Sequence, residues 1–514
     1  MLRTDLIAPI PELLKRQASA HGAKCAYRDG RTSVTYAELD ARTENLAGHL
    51  ADNGIAPNDT VAICLPSSVP WVESCLAVPR AGAISVPISY DSTENEIAYR
   101  LADANCKAVF TTAERADLFT RLRASAPNLA TLIATDRGTS TASVLHYADL
   151  SRTRPKTEVR DPNSLRDTAF ILYTSGTTGR AKGVRLTVHG MLWVAAACWA
   201  PIAGLAASDT LLSPLPLFHS YALNLSVLSV LATGATAHIM ERFSTAEALR
   251  LLKSGEFTFF PGVPTMFHYL LQAARGDEPP KLPDLRLCVS AGAIMPATLN
   301  REFEEKFGVQ LLDGYGITET STMVTMNWPS GGRVLGSCGI PLPGLAVRIV
   351  DLNGNDVDAN AEGELIVRGP NVMPGYHNKP EETRSALRAG WYHTGDLAKS
   401  DLNGFITITG RLKELIIRGG QNIAPAEIEE AASTFPAVLD CAVVGVAHEH
   451  LGEVPALFVV SRQGQHLEIE GLLAHCRARL SAYKIPQIVQ TIAEIPRTGS
   501  GKIIRYKLRE LIKL

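Results

Sequence analysis

The sequence predicts an α/β protein with more than one domain, and three observations support this. The chain has 514 residues, and domains typically hold about 100–200 residues each. In its first third, helix-periodic segments alternate with short β-branched runs, which is typical of crossover units and a largely parallel sheet. Later changes of pattern, near residues 344 and 411, indicate an antiparallel β subdomain and then a small α/β domain.

The alternation of helices and strands is clearest near the N-terminus. Leucines recur at helical spacing over residues 36–50, so this segment is predicted to form a helix. Residues 60–65 are apolar and β-branched and end at a proline, as a short buried strand does. A helix over residues 71–81 and a strand over residues 83–87 follow in the same way. Further buried strands are predicted at residues 168–173, 257–260 and 285–290.

The C-terminal third has a different sequence pattern. Residues 344–367 contain strand-like runs separated by polar turns, which predicts an antiparallel β subdomain. Beyond it we place a domain boundary near residues 411–413. The last unit is predicted to contain helices at 425–434 and 469–480 and strands at 441–446 and 456–460. The fold class is therefore a large N-terminal domain of mixed, largely parallel sheets with helices plus a β subdomain, and a small α/β C-terminal domain.

Composition excludes several classes of protein. Hydrophobic residues make up 46% of the chain and charged residues 20%, which excludes wholesale disorder. The formal charge of −2 gives no electrostatic reason to expect nucleic acid or an anionic membrane as a partner. The nine cysteines contain no CxxC pair, so neither a disulfide framework nor a Cys-rich zinc site is predicted. A reducing cytoplasm fits this usage, and the first residues do not resemble a signal peptide.

Two apolar stretches, residues 190–208 and 211–240, are long enough to be considered as membrane spans. The first is interrupted by Pro201, and the second carries prolines, histidines and Asn224, which are costly in hydrocarbon. Both stretches are therefore predicted to be buried core or pocket wall, and no membrane span is expected.

A loop rich in glycine and hydroxyl groups follows the strand predicted at 168–173. Glycines allow backbone N–H groups to approach phosphate oxygens, hydroxyls donate hydrogen bonds, and a lysine supplies positive charge. The loop lacks the Gly-Lys-Ser/Thr ending of a P-loop. From composition alone, an ordinary surface loop rich in Gly, Ser and Thr stays open as the alternative. If the loop binds phosphate, the residues that would do so are Thr174, Ser175, Gly176, Thr177, Thr178, Gly179 and Lys182.

This loop resembles the phosphate-binding signature of the adenylate-forming superfamily, which includes acyl-CoA synthetases, peptide-synthetase adenylation domains and luciferases. Six further segments match that family in order, so the resemblance covers nearly the whole chain. They are Leu215-Pro-Leu-Phe-His-Ser-Tyr, Ser290-Ala-Gly-Ala, Asp313-Gly-Tyr-Gly-Ile-Thr-Glu-Thr, Gly363-Glu-Leu through Tyr376 with Tyr392-His-Thr-Gly-Asp, Gly410-Arg-Leu-Lys-Glu-Leu-Ile, and Pro496-Arg-Thr-Gly-Ser-Gly-Lys. Within the family the chain is most similar to acyl- or aryl-CoA synthetases.

The resemblance implies that ATP and a carboxylate form an acyl-adenylate and pyrophosphate, and that the acyl group then passes to a nucleophile. Charge repulsion at the α-phosphate calls for cations and oriented donors. Lys502 is expected to bridge the carboxylate and the α-phosphate, and Thr318 to contact that phosphate. Glu319, with Thr174 as a second ligand, is expected to hold Mg²⁺, which prefers oxygen donors.

The remaining predicted site residues follow the same resemblance. Tyr315 is expected to stack on adenine, Asp396 to accept from the ribose hydroxyls, and Arg411 to contact ribose or phosphate. Lys413 occupies the expected hinge. The other predicted nucleotide and CoA contacts are Gly292, Ala293, Asp313, Gly314, Gly419 and Gly420, the last two lining a pantetheine tunnel. The implied units are residues 1–410 for adenylation, 411–414 for the hinge and 415–514 for a mobile domain carrying Lys502.

His219 is expected to lie at the acyl site, in a positioning or gating role. Family members that activate amino acids carry an Asp in this segment, whereas this chain has Phe218-His219-Ser220, which disfavours an α-amino acid. The predicted pocket wall is apolar and has no evident second cation, which favours a medium-chain, cyclic or aromatic monocarboxylate. Its residues are Leu223, Val227, Val263, Ala291, Ile294 and Met323.

The acceptor is predicted to be coenzyme A, with ATP and Mg²⁺ as the other small-molecule partners. Two alternatives stay open at this point. The acyl group could pass to a carrier-protein thiol or to an amine. A catalytically silent relative that only binds ligands is disfavoured, because Lys502, Glu319 and Asp396 are all present.

Overall fold

The structure is a computed structural model. It describes residues 2–136, 144–174, 181–274, 280–419, 421–462, 464–497 and 503–512. Within those ranges the α-helices are α1 (Ile10–His21), α2 (Tyr36–Asp52), α3 (Val69–Arg80), α4 (Glu94–Asp103), α5 (Ala116–Leu122), α6 (Tyr147–Leu150), α7 (Val188–Val194), α8 (Ser220–Ala222), α9 (Val230–Thr233), α10 (Thr245–Leu252), α11 (Pro264–Ala273), α12 (Ala297–Phe307), α13 (Pro380–Ala386), α14 (Pro425–Ser433), α15 (Ile469–Arg477) and α16 (Arg505–Glu510). Short 3₁₀ turns lie at Thr4–Leu6, Ala113–Arg115, Thr318–Thr320, Leu412–Glu414 and Ala482–Lys484, and π-helical segments at Ala195–Trp199 and Leu223–Ser229.

The strands are distributed along the whole chain. They are β1 (Cys25–Arg28), β2 (Ser33–Thr35), β3 (Thr60–Ile63), β4 (Ile84–Pro87), β5 (Ala108–Thr111), β6 (Thr131–Ala134), β7 (Val144–His146), β8 (Thr168–Thr174), β9 (Lys182–Thr187), β10 (Thr210–Ser213), β11 (Thr236–Ile239), β12 (Phe259–Gly262), β13 (Leu287–Ser290), β14 (Gln310–Tyr315), β15 (Thr325–Met326), β16 (Ile340–Pro341), β17 (Ala346–Val350), β18 (Gly363–Arg368), β19 (Gly375–Tyr376), β20 (Leu387–Arg388), β21 (Trp391–Ser400), β22 (Ile406–Arg411), β23 (Ile416–Arg418), β24 (Gln421–Ile423), β25 (Val438–His448), β26 (Gly452–Ser461) and β27 (Ile488–Thr491).

Two large mixed sheets form the N-terminal part. One has the strand order β19-β9-β8-β4-β3-β5-β6-β7, and the strands from β8 to β7 pair in parallel. The other has the order β16-β15-β14-β13-β12-β10-β11-β1-β2, and its strands from β14 to β1 pair in parallel. Antiparallel strands lie at the edges, so the predicted parallel-rich α/β architecture is confirmed.

Two smaller sheets follow in the chain. Strands β17, β18, β20, β21 and β22 form an antiparallel sheet, which we call the β subdomain and which the sequence predicted. Strands β23 to β27 form the C-terminal sheet, in which β26 and β27 are the parallel pair. The 3₁₀ turn Leu412–Glu414 connects the two sheets.

Most predicted elements appear within a few residues of their expected bounds. Helix α2 begins at a capping box, in which Thr35 and Glu38 satisfy each other's backbone N–H groups. The strand predicted at 257–260 is displaced to Phe259–Gly262. The apolar run shows only that these residues are buried. Backbone pairing between β12 and β13 begins at Phe259, which lies opposite Leu287.

The two apolar stretches lie in the core, as predicted. The helical segments between Val188 and Trp199 and between Ser220 and Thr233 are almost entirely buried. Among the described residues, no helix has the length and apolar character needed to cross a membrane.

A buried guanidinium joins three segments of the N-terminal part. Arg80 at the end of α3 is 0% exposed, and its Nε and Nη2 donate to the Asp161 carboxylate at 2.8 and 2.9 Å. Its Nη1 donates to Asp40 Oδ1 and to Thr43 Oγ1 on α2, both at 2.9 Å. Burial alone would raise the pKa of Asp161, but hydrogen bonds from Arg80 and Lys15 lower it overall.

We expect Arg80→Met to lower the free energy of unfolding by about 3–5 kcal/mol, because two carboxylates in partly buried positions lose the guanidinium that they share. Asp161 would keep only Lys15 as a partner, and Asp40 would lose its ion pair. Denaturant unfolding followed by intrinsic fluorescence measures the change. The control is Arg384→Met, whose ion pair with Glu381 is exposed and should contribute about 0–1 kcal/mol. Equal losses in the two variants would contradict a structural role for Arg80.

Candidate active site

A cleft of about 3340 Å³ borders both large sheets, the β subdomain and the C-terminal sheet. Parallel strands deliver their carboxyl ends to one edge of a sheet, and such edges are where α/β proteins bind ligands. Residues just after β10, β12, β13 and β14 line the cleft, as do residues after β4 and at the end of β8. Most of the predicted site residues lie at these strand ends.

A carboxylate on the β subdomain forms the most connected polar group of the cleft. Asp396 is 2% exposed, and its Oδ2 accepts from the Tyr315 hydroxyl at 2.6 Å. Its Oδ1 lies 2.7 Å from Nε of Arg411, which pairs with Asp396 across β21 and β22. A carboxylate has about four acceptor sites, so these contacts are compatible with further donors such as ribose hydroxyls. The structure thus brings these three predicted residues together.

Burial and charge fix the protonation states of this group. Burial, and then the Asp396 charge, raise the pKa of Tyr315 well above its ordinary value, so its hydroxyl is a hydrogen-bond donor. Burial opposes the charge of Arg411, but Asp396 and Glu414 raise the pKa of the guanidinium overall. Arg411 therefore stays cationic beside Asp396.

A second polar group lies at the 3₁₀ turn after β14. The Glu319 carboxylate accepts from the Tyr376 hydroxyl at 3.0 Å. The Thr318 hydroxyl lies 3.2 Å from that of Ser220 at the start of α8. Lys182 places its ammonium 5.1 Å from the centre of the Tyr376 ring. Predicted metal, phosphate and catalytic residues thus border one part of the cleft.

The oxygen donors of this region fit a magnesium ion. Glu319 supplies a carboxylate, and Thr318 and Thr174 supply hydroxyls on the same cleft. Mg²⁺ in nucleotide sites is held by one or two carboxylates together with substrate phosphates. A cage of three or more His, Cys, Asp or Glu side chains is absent from the described residues. When bound, the ion neutralises phosphate charge, and Glu319 is the residue that would hold it.

The phosphate loop is described only at its two ends. Thr174 at the end of β8 pairs with Lys182 at the start of β9, and the two strands are antiparallel. Ser175, Gly176, Thr177, Thr178 and Gly179 lie outside the described residues, as do Lys502 and Gly420.

The residues predicted to lie near adenine come directly after β13 and at the end of β14. Gly292 and Ala293 are exposed to the cleft. Asp313 is 6% exposed, burial raises the pKa of its carboxyl well above the ordinary value, and its Oδ1 has no hydrogen-bond partner among the described residues. Gly314 also lines the cleft. Gly316 packs so tightly that a Cβ there would lie 1.4 Å from the carbonyl oxygen of Thr322, which explains a glycine in the motif.

His219 lies at the start of α8 on the predicted acyl side. Its Nδ1 accepts the backbone N–H of Tyr221 at 3.3 Å, so in the neutral ring Nε2 carries the proton. Val263, Ala291 and Ile294 line the cleft, as predicted.

Part of the predicted acyl wall was placed wrongly. Leu223, Val227 and Met323 are 0% exposed and belong to the central core, outside the cleft lining. The first two lie on the π-helical segment after α8, which is buried along its whole length. An apolar run next to a site residue therefore did not distinguish core from cleft.

The hinge candidates lie at the junction with the C-terminal sheet. Lys413 is exposed in the 3₁₀ turn and borders the cleft, while Gly419 lies in the turn between β23 and β24 and is outside the cleft lining. Arg505, at the start of α16, bonds to the 3₁₀ turn and to α14. Its Nε lies 2.9 Å from Glu414 in the turn, and its Nη1 lies 2.5 Å from Glu429 on α14.

Two site contacts escaped the sequence analysis. Tyr376 contacts both Glu319 and Lys182, although it was predicted only as the last residue of a family-like motif. Glu364 accepts from the Gly395 backbone at 3.1 Å and contacts His393 at 2.8 Å, so it supports the part of β21 that carries Asp396. Both belong to the family-like segment that begins at Gly363, which was the available signal.

Comparison with known proteins identifies the family of the chain. The family model described as AMP-binding enzyme matches residues 14–377, and that described as AMP-binding enzyme C-terminal domain matches residues 427–502. A feruloyl-CoA synthase of Amycolatopsis sp is 34% identical, with 96% of this chain and 97% of that protein covered. A long-chain-fatty-acid–CoA ligase of Yersinia pestis is 33% identical, with 98% and 95% covered.

A solved structure supports the fold assignment as well. An anthranilate CoA ligase in complex with anthranoyl-AMP superimposes with a TM-score of 0.91 at 27% identity, with 98% of this chain and 97% of that chain covered. With the family model and the full-length relatives, this likeness establishes that the chain belongs to the AMP-binding enzyme family, as an AMP-forming acid–thiol ligase.

Proposed function

We propose that the chain uses ATP to convert an apolar or aromatic monocarboxylate into an acyl-adenylate and then transfers the acyl group to the thiol of coenzyme A. One observation carries the proposal. Asp396 with Tyr315 and Arg411, and Glu319 with Lys182 and Tyr376, form two polar groups on one cleft, which continues past His219 to an apolar wall. This matches a nucleotide site joined to an acyl site.

The first half-reaction joins two negatively charged groups, so the site must offset charge repulsion. The carboxylate oxygen attacks the α-phosphorus, and pyrophosphate leaves with the bonding electrons. Asp396 would hold the ribose, and Arg411 would stay cationic beside it. Thr174 and Lys182 at the ends of the phosphate hairpin would orient the leaving phosphates. Thr318 would donate to the α-phosphate, where charge develops.

The acid is proposed to be apolar or aromatic. Val263, Ala291 and Ile294 offer apolar surface at the ends of β12 and β13. The segment Phe218-His219-Ser220 lacks the carboxylate that would pair with an α-ammonium group, so an amino acid is disfavoured. The feruloyl-CoA synthase relative supports an aryl acid, and the long-chain-fatty-acid–CoA ligase supports an extended apolar one.

The second half-reaction is proposed to follow a rotation of residues 415–514 about residues 411–414. In the structure, the 3₁₀ turn Leu412–Glu414 joins two sheets, and exposed Lys413 lies in it. Gly419 lies outside the cleft lining in this arrangement, so a role in a thiol tunnel requires such a movement. We place the reaction in the reducing cytoplasm, since all nine cysteines are free thiols.

A panel of carboxylic acids tests the function. We expect pyrophosphate release with aryl and medium-chain monocarboxylates, and a thioester product only when CoA is present. Dicarboxylates and α-amino acids should react far more slowly, because the apolar wall does not pair their extra charges. Rapid adenylate formation without CoA dependence, with amides formed from free amines, would instead identify an amide-forming ligase.

Lys502→Ala is expected to reduce acyl-adenylate formation by at least about 100-fold, because one stabilising charge at the reacting phosphate is lost. Pyrophosphate exchange measures this step, and a supplied acyl-adenylate should still be converted to the thioester. The control is Lys253→Ala, an exposed lysine at the end of α10 outside the cleft lining. Exchange at the wild-type rate in the Lys502 variant would refute its catalytic role.

Gly420→Leu is expected to leave pyrophosphate exchange within about twofold of wild type and to abolish thioester formation, because a side chain would fill a narrow thiol tunnel. Both half-reactions are measured on the same preparation. The control is Gly30→Leu, since a Cβ at Gly30 meets nothing within 4 Å. If Gly420→Leu loses both half-reactions, Gly420 has a structural role and the tunnel assignment is wrong.

A further inference from the structure

The segment 371–376, which we call the strap, crosses the turn that carries Glu319. Asn371 is 0% exposed, and its Nδ2 donates to the carbonyl oxygens of Thr320 and Met323, both at 2.8 Å. The backbone N–H of Met373 donates to the Glu319 carbonyl oxygen at 2.8 Å. The backbone of the Glu319 turn is therefore fixed by the strap as well as by β14.

The strap ends in β19, which belongs to the other large sheet. Gly375 and Tyr376 pair with Arg185 and Val184 of β9, the strand that begins at Lys182. Tyr376 is 9% exposed, and its backbone N–H donates to Thr383 Oγ1 at 2.9 Å. The Tyr376 backbone is thus fixed by hydrogen bonds, and its side chain is almost completely buried.

Two groups of opposite charge contact this one ring. The Tyr376 hydroxyl donates to Glu319 Oε1 at 3.0 Å, and the Lys182 ammonium lies 5.1 Å from the ring centre. Burial, and then the Glu319 charge, raise the pKa of Tyr376, so the phenol remains a donor. A hydrogen-bonded carboxylate keeps its orientation toward a metal, and a cation over an aromatic face is attracted by the ring quadrupole.

We infer that Tyr376 is a positioning residue that orients the Glu319 carboxylate toward Mg²⁺ and the Lys182 ammonium toward the ATP phosphates. This inference rests on the proposed function. Tyr376 acts through the other two residues. Its hydroxyl donates a hydrogen bond to Glu319, and its ring attracts the Lys182 ammonium. The two parts are therefore separable by substitution, because phenylalanine keeps the ring and leucine removes both.

The test is the equilibrium binding of a fluorescent N-methylanthraniloyl ATP, titrated with Mg²⁺ and repeated in EDTA. Tyr376→Phe should raise the half-saturating Mg²⁺ concentration about tenfold, since supporting groups of metal ligands typically contribute 10–100-fold to metal affinity. Its binding of the nucleotide in EDTA should stay within about twofold of wild type. Tyr376→Leu should in addition weaken metal-free binding about threefold, because Lys182 loses the ring.

Two further variants frame the result. Tyr147→Phe is the matched control, since Tyr147 is 3% exposed, lies outside the cleft lining, and its hydroxyl has no hydrogen-bond partner among the described residues. Glu319→Gln should remove most of the Mg²⁺ effect directly. Thermal melting of each variant checks the fold.

The inference is overturned if Tyr376→Phe requires the same Mg²⁺ concentration as wild type, or if it weakens nucleotide binding equally with and without the metal. Wild-type protein that binds the nucleotide but releases no pyrophosphate with any acid of the panel would refute the proposed function instead. A normal Mg²⁺ requirement in that protein, raised in Tyr376→Phe, would still support the positioning role.

Discussion

The parallel strands constrain where the site residues of this molecule can lie, because the carboxyl ends of parallel strands all meet at one edge of a sheet. Both large sheets direct such edges to the same cleft, through the ends of β10, β12, β13 and β14 in one and of β4 and β8 in the other. His219, Gly292 and Glu319 come from three of these ends. Their proximity follows from the topology, although each is supplied by a different segment of the chain.

Two carboxylates of the cleft, Asp396 and Glu319, are each bonded by neighbouring side chains. Asp396 is 2% exposed but bonded by Tyr315 and Arg411, and Glu319 is bonded by Tyr376. A buried charge without such partners would be costly. Asp313 is the contrasting case, since burial raises its pKa and one of its oxygens lacks a partner among the described residues.

The two walls of the cleft differ in how they are held. On the N-terminal side, the strap joins the two large sheets, and Arg80 joins α3 to α2. The C-terminal sheet is connected to the β subdomain through the 3₁₀ turn Leu412–Glu414, with Arg505 bonded to Glu414 beside that turn. A single short turn between the β subdomain and the C-terminal sheet is compatible with the rotation proposed between the two half-reactions.

The sequence by itself determined the fold class, the order of the motifs and most of the residues at the strand ends. The fold class follows from local periodicity, which acts over a few residues. The order of the motifs and the site residues within them follow from the resemblance to the adenylate-forming superfamily. Tertiary structure decided which of them touch. Tyr315 and Asp396 are 81 residues apart, and Glu319 and Tyr376 are 57 apart, so their contacts depend on sheet register and on the path of the strap. Hydrophobicity likewise predicted that Leu223 and Met323 would be covered, but only packing decided that core side chains, and not a ligand, cover them, because an apolar side chain is buried equally well by either.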